Sequence, residues 1–127
     1  MSWVLIVEDH ALFREGLALL LKWRTGLANV QSGSIAETRR ILGDAKEEPV
    51  CAVVDLDLPD GDGVELLERL RRLPVVALVS DGSLERCVLA FEAGADEVLH
   101  MGESSEKIQS AVEQLVGELR PSDCYPD

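Results

Sequence analysis

No stretch of 18 consecutive apolar residues occurs in the 127-residue chain, so nothing in it reads as a membrane-spanning helix. No basic leader precedes the opening apolar run Trp3-Val4-Leu5-Ile6-Val7, which Glu8-Asp9-His10 soon interrupts. That pattern excludes a secretory signal and points to a cytoplasmic protein. Cysteine is scarce: Cys51, Cys87 and Cys124 are odd in number and unrelated in spacing, which fits neither a disulfide framework nor a zinc site. Cys51 and Cys87 lie in apolar segments and are expected as small core residues, whereas Cys124 lies in a polar tail. Basic residues number 12 against 24 acidic ones, a net charge of −12. Unaided binding to DNA or to an anionic membrane surface is therefore not expected, because both depend largely on Lys and Arg. No internal repeat is present.

Apolar residues make up 46% of the chain, enough for one core that buries roughly two-thirds of the unfolded surface. Five short apolar runs alternate with five helix-like segments. Trp3 to Val7 reads as a strand buried on both faces, followed by a helix over Ala11 to Trp23 that Gly26 ends. A weak second strand falls near Ala28 to Gln31, and Ser34 with Glu37 forms a capping-box pattern at the start of the second helix. The third strand, Val50 to Val54, ends at Asp55, and a loop rich in Asp, Pro and Gly leads to a helix with Val64, Leu66, Leu67 and Leu70. Val75 to Val79 is the fourth strand. Ser83 caps a helix to Glu92 that stops at Gly94, Glu97 to Leu99 is a short fifth strand, and Ser104 or Ser105 opens the last helix. Leu84, Val88, Leu89, Ile108 and Val112 on the last two helices are expected to be mostly core, with any left exposed offering a dimer or output surface. Residues 1–120 form the domain, and 121–127 read as a C-terminal tail or the start of a linker.

Strand and helix alternating through short connections imply a parallel sheet covered on both faces. In such a sheet the ligand site lies beyond the carboxyl ends of the strands, near the switch in strand order. Glu8, Asp9, Asp55, Asp57, Ser80 and Asp81 stand at those ends and should converge on one rim. Several unpaired carboxylates there would repel one another, and a divalent cation relieves the conflict. Hard oxygen ligands suit Mg²⁺, held by one or two carboxylates with waters and phosphate oxygens.

The run Glu8-Asp9-His10-Ala11-Leu12-Phe13-Arg14-Glu15-Gly16-Leu17 resembles the opening of response regulator receiver domains, and most of all the branch carrying LuxR-type helix-turn-helix output domains. Val53-Val54-Asp55-Leu56-Asp57-Leu58-Pro59, with Gly63 beyond it, resembles their phosphoacceptor segment, and Gly94-Ala95-Asp96 the turn before their fifth strand. The likeness runs from about residue 2 to residue 118. It implies a flavodoxin-like (βα)5 fold, a doubly wound five-stranded parallel sheet in three α/β/α layers. It implies that Asp55 takes a phosphoryl group from a sensor histidine kinase, with Mg²⁺ held by Glu8, Asp9, Asp55 and the backbone carbonyl of Asp57. It further implies a domain that assists its own phosphorylation without being a multiple-turnover enzyme. Homodimerisation and transcription control through an output domain outside this chain, the only route to DNA, complete the expectation.

Three positions depart from the family pattern. Receiver domains end the fifth strand with a Lys, but Met101 falls there, and Lys22, Lys46 and Lys107 lie elsewhere. His100 is adjacent, although strand alternation turns it to the opposite face. Val79 occupies the place of the phosphoryl-contacting hydroxyl, which a one-residue shortening of the next loop would restore to Ser80. Val98 stands where an aromatic switch residue is common. These departures keep open a pseudo-receiver that acts by protein contacts alone. A more distant rival is a haloacid-dehalogenase-like phosphatase using Asp55 and Asp57, which normally needs a larger chain.

Overall fold

Apolar residues run unbroken through Val4–Val7, Cys51–Val54 and Val75–Val79, and each of these side chains is at most 1% exposed. Such runs need cover on both faces, which a parallel sheet with helical crossovers supplies. The computed structural model describes the backbone of residues 2–80, 83–101 and 105–123. The main strands are β1 (Trp3–Val7), β2 (Ala28–Ser32), β3 (Cys51–Asp55), β6 (Val75–Val79) and β7 (Glu97–His100); β4 (Asp57–Leu58) and β5 (Gly61–Asp62) form a separate two-stranded antiparallel hairpin. The five-stranded sheet is parallel throughout, in the order β2-β1-β3-β6-β7. This is the flavodoxin-like α/β fold expected from the sequence.

Side-chain alternation along the strands divides the core in two. Leu5, Val7, Ala52, Val54, Ala77 and Val79 face one way and meet α2 (Ile35–Asp44), α3 (Val64–Arg69) and α4 (Leu84–Glu92) through Ile35, Leu42, Leu66, Leu67 and Ala90. Val4, Ile6, Cys51, Val53, Val76 and Leu78 face the other way, against Leu17, Ala18 and Leu21 of α1 (Ala11–Thr25) and Ile108 and Val112 of α5 (Ser105–Asp123). Each fully buried Leu or Ile contributes about 1.5–3 kcal/mol of transfer free energy. Among the described residues no helix is long and apolar enough to cross a membrane.

Local signals place the helices. Gly26, at φ 74°, ends α1 in the left-handed conformation, and its N–H donates to the Lys22 carbonyl. Ser34 Oγ accepts from Glu37 N (3.1 Å), while Glu37 Oε1 accepts from Gly33 N (2.8 Å), one residue earlier than a reciprocal capping box requires. Ser34→Ala is expected to cost about 1 kcal/mol, read as a lower urea midpoint with an unchanged m-value. Ser83 caps α4 as expected, its hydroxyl accepting from Arg86 N.

Three expectations need correction. Ile108 and Val112 are core, but Leu84, Val88 and Leu89 are exposed at 79%, 44% and 49%. The small residues Cys87 and Ala90 face the sheet instead, so the spacing Leu84, Val88, Phe91 marks the outer face. The last helix continues through Asp123, past Pro121, where a tail was expected to begin. The loop after Asp55 contains the β4–β5 hairpin. Cys51 is buried and Cys87 half-buried, whereas Asp81, Ser104 and Cys124 lie outside the described residues. The two tryptophans take unlike surroundings: Trp3 Nε1 donates to the Glu47 carbonyl (3.0 Å), and Trp23, near the end of α1, is 79% exposed.

Candidate functional site

Strand order reverses at β1 and β3, and both strands end in carboxylates. The Glu8 N–H donates to the Ser32 carbonyl (2.9 Å), extending the β1–β2 ladder one residue past Val7. The Glu8 side chain is fully buried, its Oε1 accepting from His10 N (3.1 Å) and lying 2.7 Å from His10 Nδ1. Among the described residues no fixed N–H or hydroxyl donor reaches the buried Oε2, a costly arrangement for a carboxylate oxygen. Asp55, the last residue of β3, is 2% exposed and accepts from Asp57 N at Oδ1 (2.9 Å). Asp9 completes the group from the solvent side.

Glu8, Asp9, His10 and Asp55 each offer one ligand atom within 4.8 Å of the others. Burial pushes the Asp55 carboxyl up to about 8, against the Asp57 amide that favours its ionised form; the Glu8 charge, a hydrogen bond that protonated Asp55 can give to the Glu8 carboxylate, and the Asp9 charge add to the rise. The hydrogen bond to Glu8, then the charges of Glu8, Asp9 and Asp55, raise His10 above its ordinary value. Concentrated negative charge, an unpartnered buried oxygen and hard donors together fit a divalent cation such as Mg²⁺. His10 is a member of the group that the spacing of acidic residues did not reveal. Its only signal was adjacency to Glu8 and Asp9.

Asp55 is reached past a backbone held close by Gly63. A Cβ on Gly63 would lie 2.7 Å from the Asp55 carbonyl oxygen and 2.8 Å from Leu56 Cα. The chain then turns through the hairpin, whose Asp60 carboxylate accepts from Ile35 N and Ala36 N and so caps α2 (2.9 and 3.0 Å). Asp57 sits on the rim. Its Oδ2 accepts from Ser80 Oγ (2.5 Å) and Ser80 N (3.1 Å), and Arg86 Nη2 stands 3.4 Å from Oδ1. The Ser80 hydroxyl, followed by the Ser80 amide and the Arg86 charge, holds the Asp57 carboxyl below its ordinary value. Arg86 also donates from Nη1 to Asp62 Oδ2 (2.9 Å) and from Nη2 to the Leu56 carbonyl (3.4 Å). Sequence reasoning assigned Arg86 no role.

An open cleft of about 440 Å³ runs beside this rim, with Asp9, Leu56, Asp57, Asp62 and Arg86 in its wall. Ser80 therefore reaches the rim, with its hydroxyl engaged by Asp57, while Val79 is buried in the core. Met101 follows β7, its N–H donating to the Val79 carbonyl (2.8 Å) and its side chain packed against the Ile6, Val53 and Leu78 cluster. Val98, half-buried, packs against the core on the opposite face of the sheet, and His100 is exposed.

The family model described as "Response regulator receiver domain" matches residues 4–113. Among curated proteins the chain is similar to the transcriptional regulatory protein PmrA of Pectobacterium parmentieri, 34% identical over 117 residues, covering 89% of this chain and 51% of that protein. The chain spans about half the length of the curated relatives it matches. Among solved structures it is similar to a CheY-like receiver domain protein from Methanospirillum hungatei, with a TM-score of 0.82 at 22% identity, covering 93% of this chain and 95% of that one. It is also similar to a response regulator from Burkholderia pseudomallei described with a phosphorylated aspartic acid, a calcium ion and citrate. That match has a TM-score of 0.76 at 25% identity, covering 96% of this chain and 75% of that one.

Proposed function

Because the chain belongs to the response regulator receiver domain family, we propose that Asp55 is its phosphoacceptor and that Glu8, Asp9, Asp55 and the backbone carbonyl of Asp57 hold Mg²⁺ beside it. The observation that carries this reading is the buried Asp55 carboxylate at the end of β3, grouped with Glu8 and Asp9 around an unpartnered buried oxygen. The phosphorylated aspartic acid named for the Burkholderia relative supports it.

Attack by an Asp55 carboxylate oxygen on the phosphorus of a kinase phosphohistidine forms an acyl phosphate. The P–N bond breaks, and its electron pair returns to the donor imidazole. Bound Mg²⁺ would neutralise charge on the phosphoryl oxygens. The chain's own contribution is position: the Asp57 amide fixes one Asp55 oxygen, and Asp60 ties the hairpin to the start of α2. Ser80, on the rim, supplies a hydroxyl toward the phosphoryl group once its bond to Asp57 is exchanged. The domain takes one phosphoryl group and assists its transfer, without multiple turnover.

The partners implied are a cytoplasmic sensor histidine kinase domain, a second copy of the chain, and an output domain that reads DNA for transcription control. PmrA, named as a transcriptional regulator, supports the last of these. The finer placement in the LuxR-type branch rests on the run Glu8 to Leu17 alone, because the relatives that match do not single out that branch. A second reading, a pseudo-receiver signalling by protein contacts, draws on Met101 at the Lys position and on Val98.

Intact mass after incubation with acetyl phosphate and Mg²⁺ tests the two readings. A single phosphoryl adduct on the parent protein and none on Asp55→Asn is the expected result. No adduct on the parent, beside a control receiver that reacts, would overturn the phosphoacceptor reading in favour of the pseudo-receiver.

A further inference from the structure

A phosphoryl group on Asp55 brings three charged oxygens to a rim already crowded with carboxylates, and such oxygens call for a positive side chain as well as a metal ion. Met101 cannot supply one: its thioether is uncharged and, half-buried, packs against the core. Lys22 lies in the last turn of α1, Lys46 in the connection from α2 to β3, and Lys107 on α5. Among the described residues, Arg14 and Arg86 bond to backbone carbonyls at the rim. Arg14 is turned toward β2, its Nη1 donating to the Glu8 carbonyl (2.7 Å) and its Nε to Gln31 Oε1 (3.1 Å). Arg86 lines the same cleft as Asp9, with Nη2 3.4 Å from the Leu56 carbonyl, one residue from Asp55.

Resting on the reading of Asp55 as phosphoacceptor, we propose that Arg86 is the cation that pairs with the phosphoryl oxygens, the office a strand-end Lys would otherwise fill. Its side chain is 21% exposed, and the carboxylates beside it among the described residues, Asp57 and Asp62, are 44% and 53% exposed. Exchanging such rim pairs for a phosphoryl group loses little, because ion pairs near solvent are weak. The guanidinium fork gains two parallel charge-assisted bonds to phosphoryl oxygens. Arg86 starts from a fixed place, since its own N–H donates to the Ser83 hydroxyl that caps α4. With acetyl phosphate, an Asp55 oxygen attacks phosphorus, the bond from phosphorus to the acetate oxygen breaks, and acetate leaves with the electron pair. Arg86 transfers no proton and forms no covalent bond.

The test is the rate of adduct formation with acetyl phosphate and Mg²⁺, followed by intact mass, for the parent protein, R86Q, M101K and R86Q/M101K. R86Q is expected to react at least about tenfold more slowly, in keeping with the loss of a charged donor at a reacting group. R86Q/M101K is expected to recover most of that loss, and M101K alone to gain less than about threefold, because two cations serving one group are not additive. An unchanged rate in R86Q overturns the assignment. So does a slow R86Q that M101K fails to restore, which marks a purely structural role. A tenfold gain in M101K alone overturns it too, and that arm leaves the Arg86 contacts intact. No adduct on the parent removes the phosphoacceptor reading itself, whereas a reactive parent with an unaffected R86Q removes only the role of Arg86.

Discussion

With a chelator present, Asp55→Asn is expected to melt well above the parent protein at about pH 9 and close to it at about pH 4. Asp55 holds its proton up to about pH 8 in the folded protein, against an ordinary value of 3.8. Between those values the folded state binds the proton and the unfolded state does not, so parent stability falls as pH rises and levels off above pH 8. Asparagine copies the protonated carboxyl in shape and charge and keeps an oxygen to accept from Asp57 N. The gap at high pH should be on the order of 5 kcal/mol, because each pKa unit between the folded and unfolded values is worth about 1.4 kcal/mol. Mg²⁺ should narrow it by stabilising the parent alone. Melting curves at the two pH values, with and without Mg²⁺, check this. A variant no more stable than the parent at pH 9 would mean that Asp55 ionises freely in the folded state.

Gly63→Ala should destabilise the fold through crowding alone. Gly63 has φ −61° and ψ −13°, values that alanine adopts without strain. Its added carbon would nonetheless stand 2.7 Å from the Asp55 carbonyl oxygen and 2.8 Å from Leu56 Cα, neither of which can swing away as a side-chain tip does. Relief requires the Asp55–Leu56 peptide to move. The expected cost is about 1–3 kcal/mol, seen in the urea midpoint, with slower adduct formation on the displaced Asp55. An unchanged midpoint would show that the hairpin yields freely.

The parts of this fold that were legible in sequence are those where burial leaves a pattern. β1, β3 and β6 are covered on both faces and therefore appear as unbroken apolar runs ending in polar residues, which located both the sheet and its rim. β2 lies at an edge with alternating exposure, and its signal was correspondingly weak. The β4–β5 hairpin has two residues per strand, too few for any periodicity. α4 misled because its apolar residues recur at helical spacing on the face turned outward, while the inward face is made of small residues. At the site, Glu8, Asp9 and Asp55 were legible as the acids that end strands. Arg86 was not, because its contacts with Leu56, Asp57 and Asp62 bridge 24 to 30 residues and depend on how α4 is rotated over the sheet.

The placement of the tryptophans decides how the protein can be followed optically. Trp3 opens β1, at the end of the sheet opposite the carboxylate rim, and its indole is tied to Glu47. Trp23 lies 12 residues along α1 from the turn that begins at the rim, roughly 18 Å of helix. Neither indole adjoins Asp55, so direct contact with a bound ion or phosphoryl group does not quench or shift their emission. A red-edge signal from water-exposed Trp23 and a distinct one from Trp3 can therefore serve as an internal fold standard while metal or phosphoryl occupancy is read by mass or by a probe placed in the Asp9–Arg86 cleft.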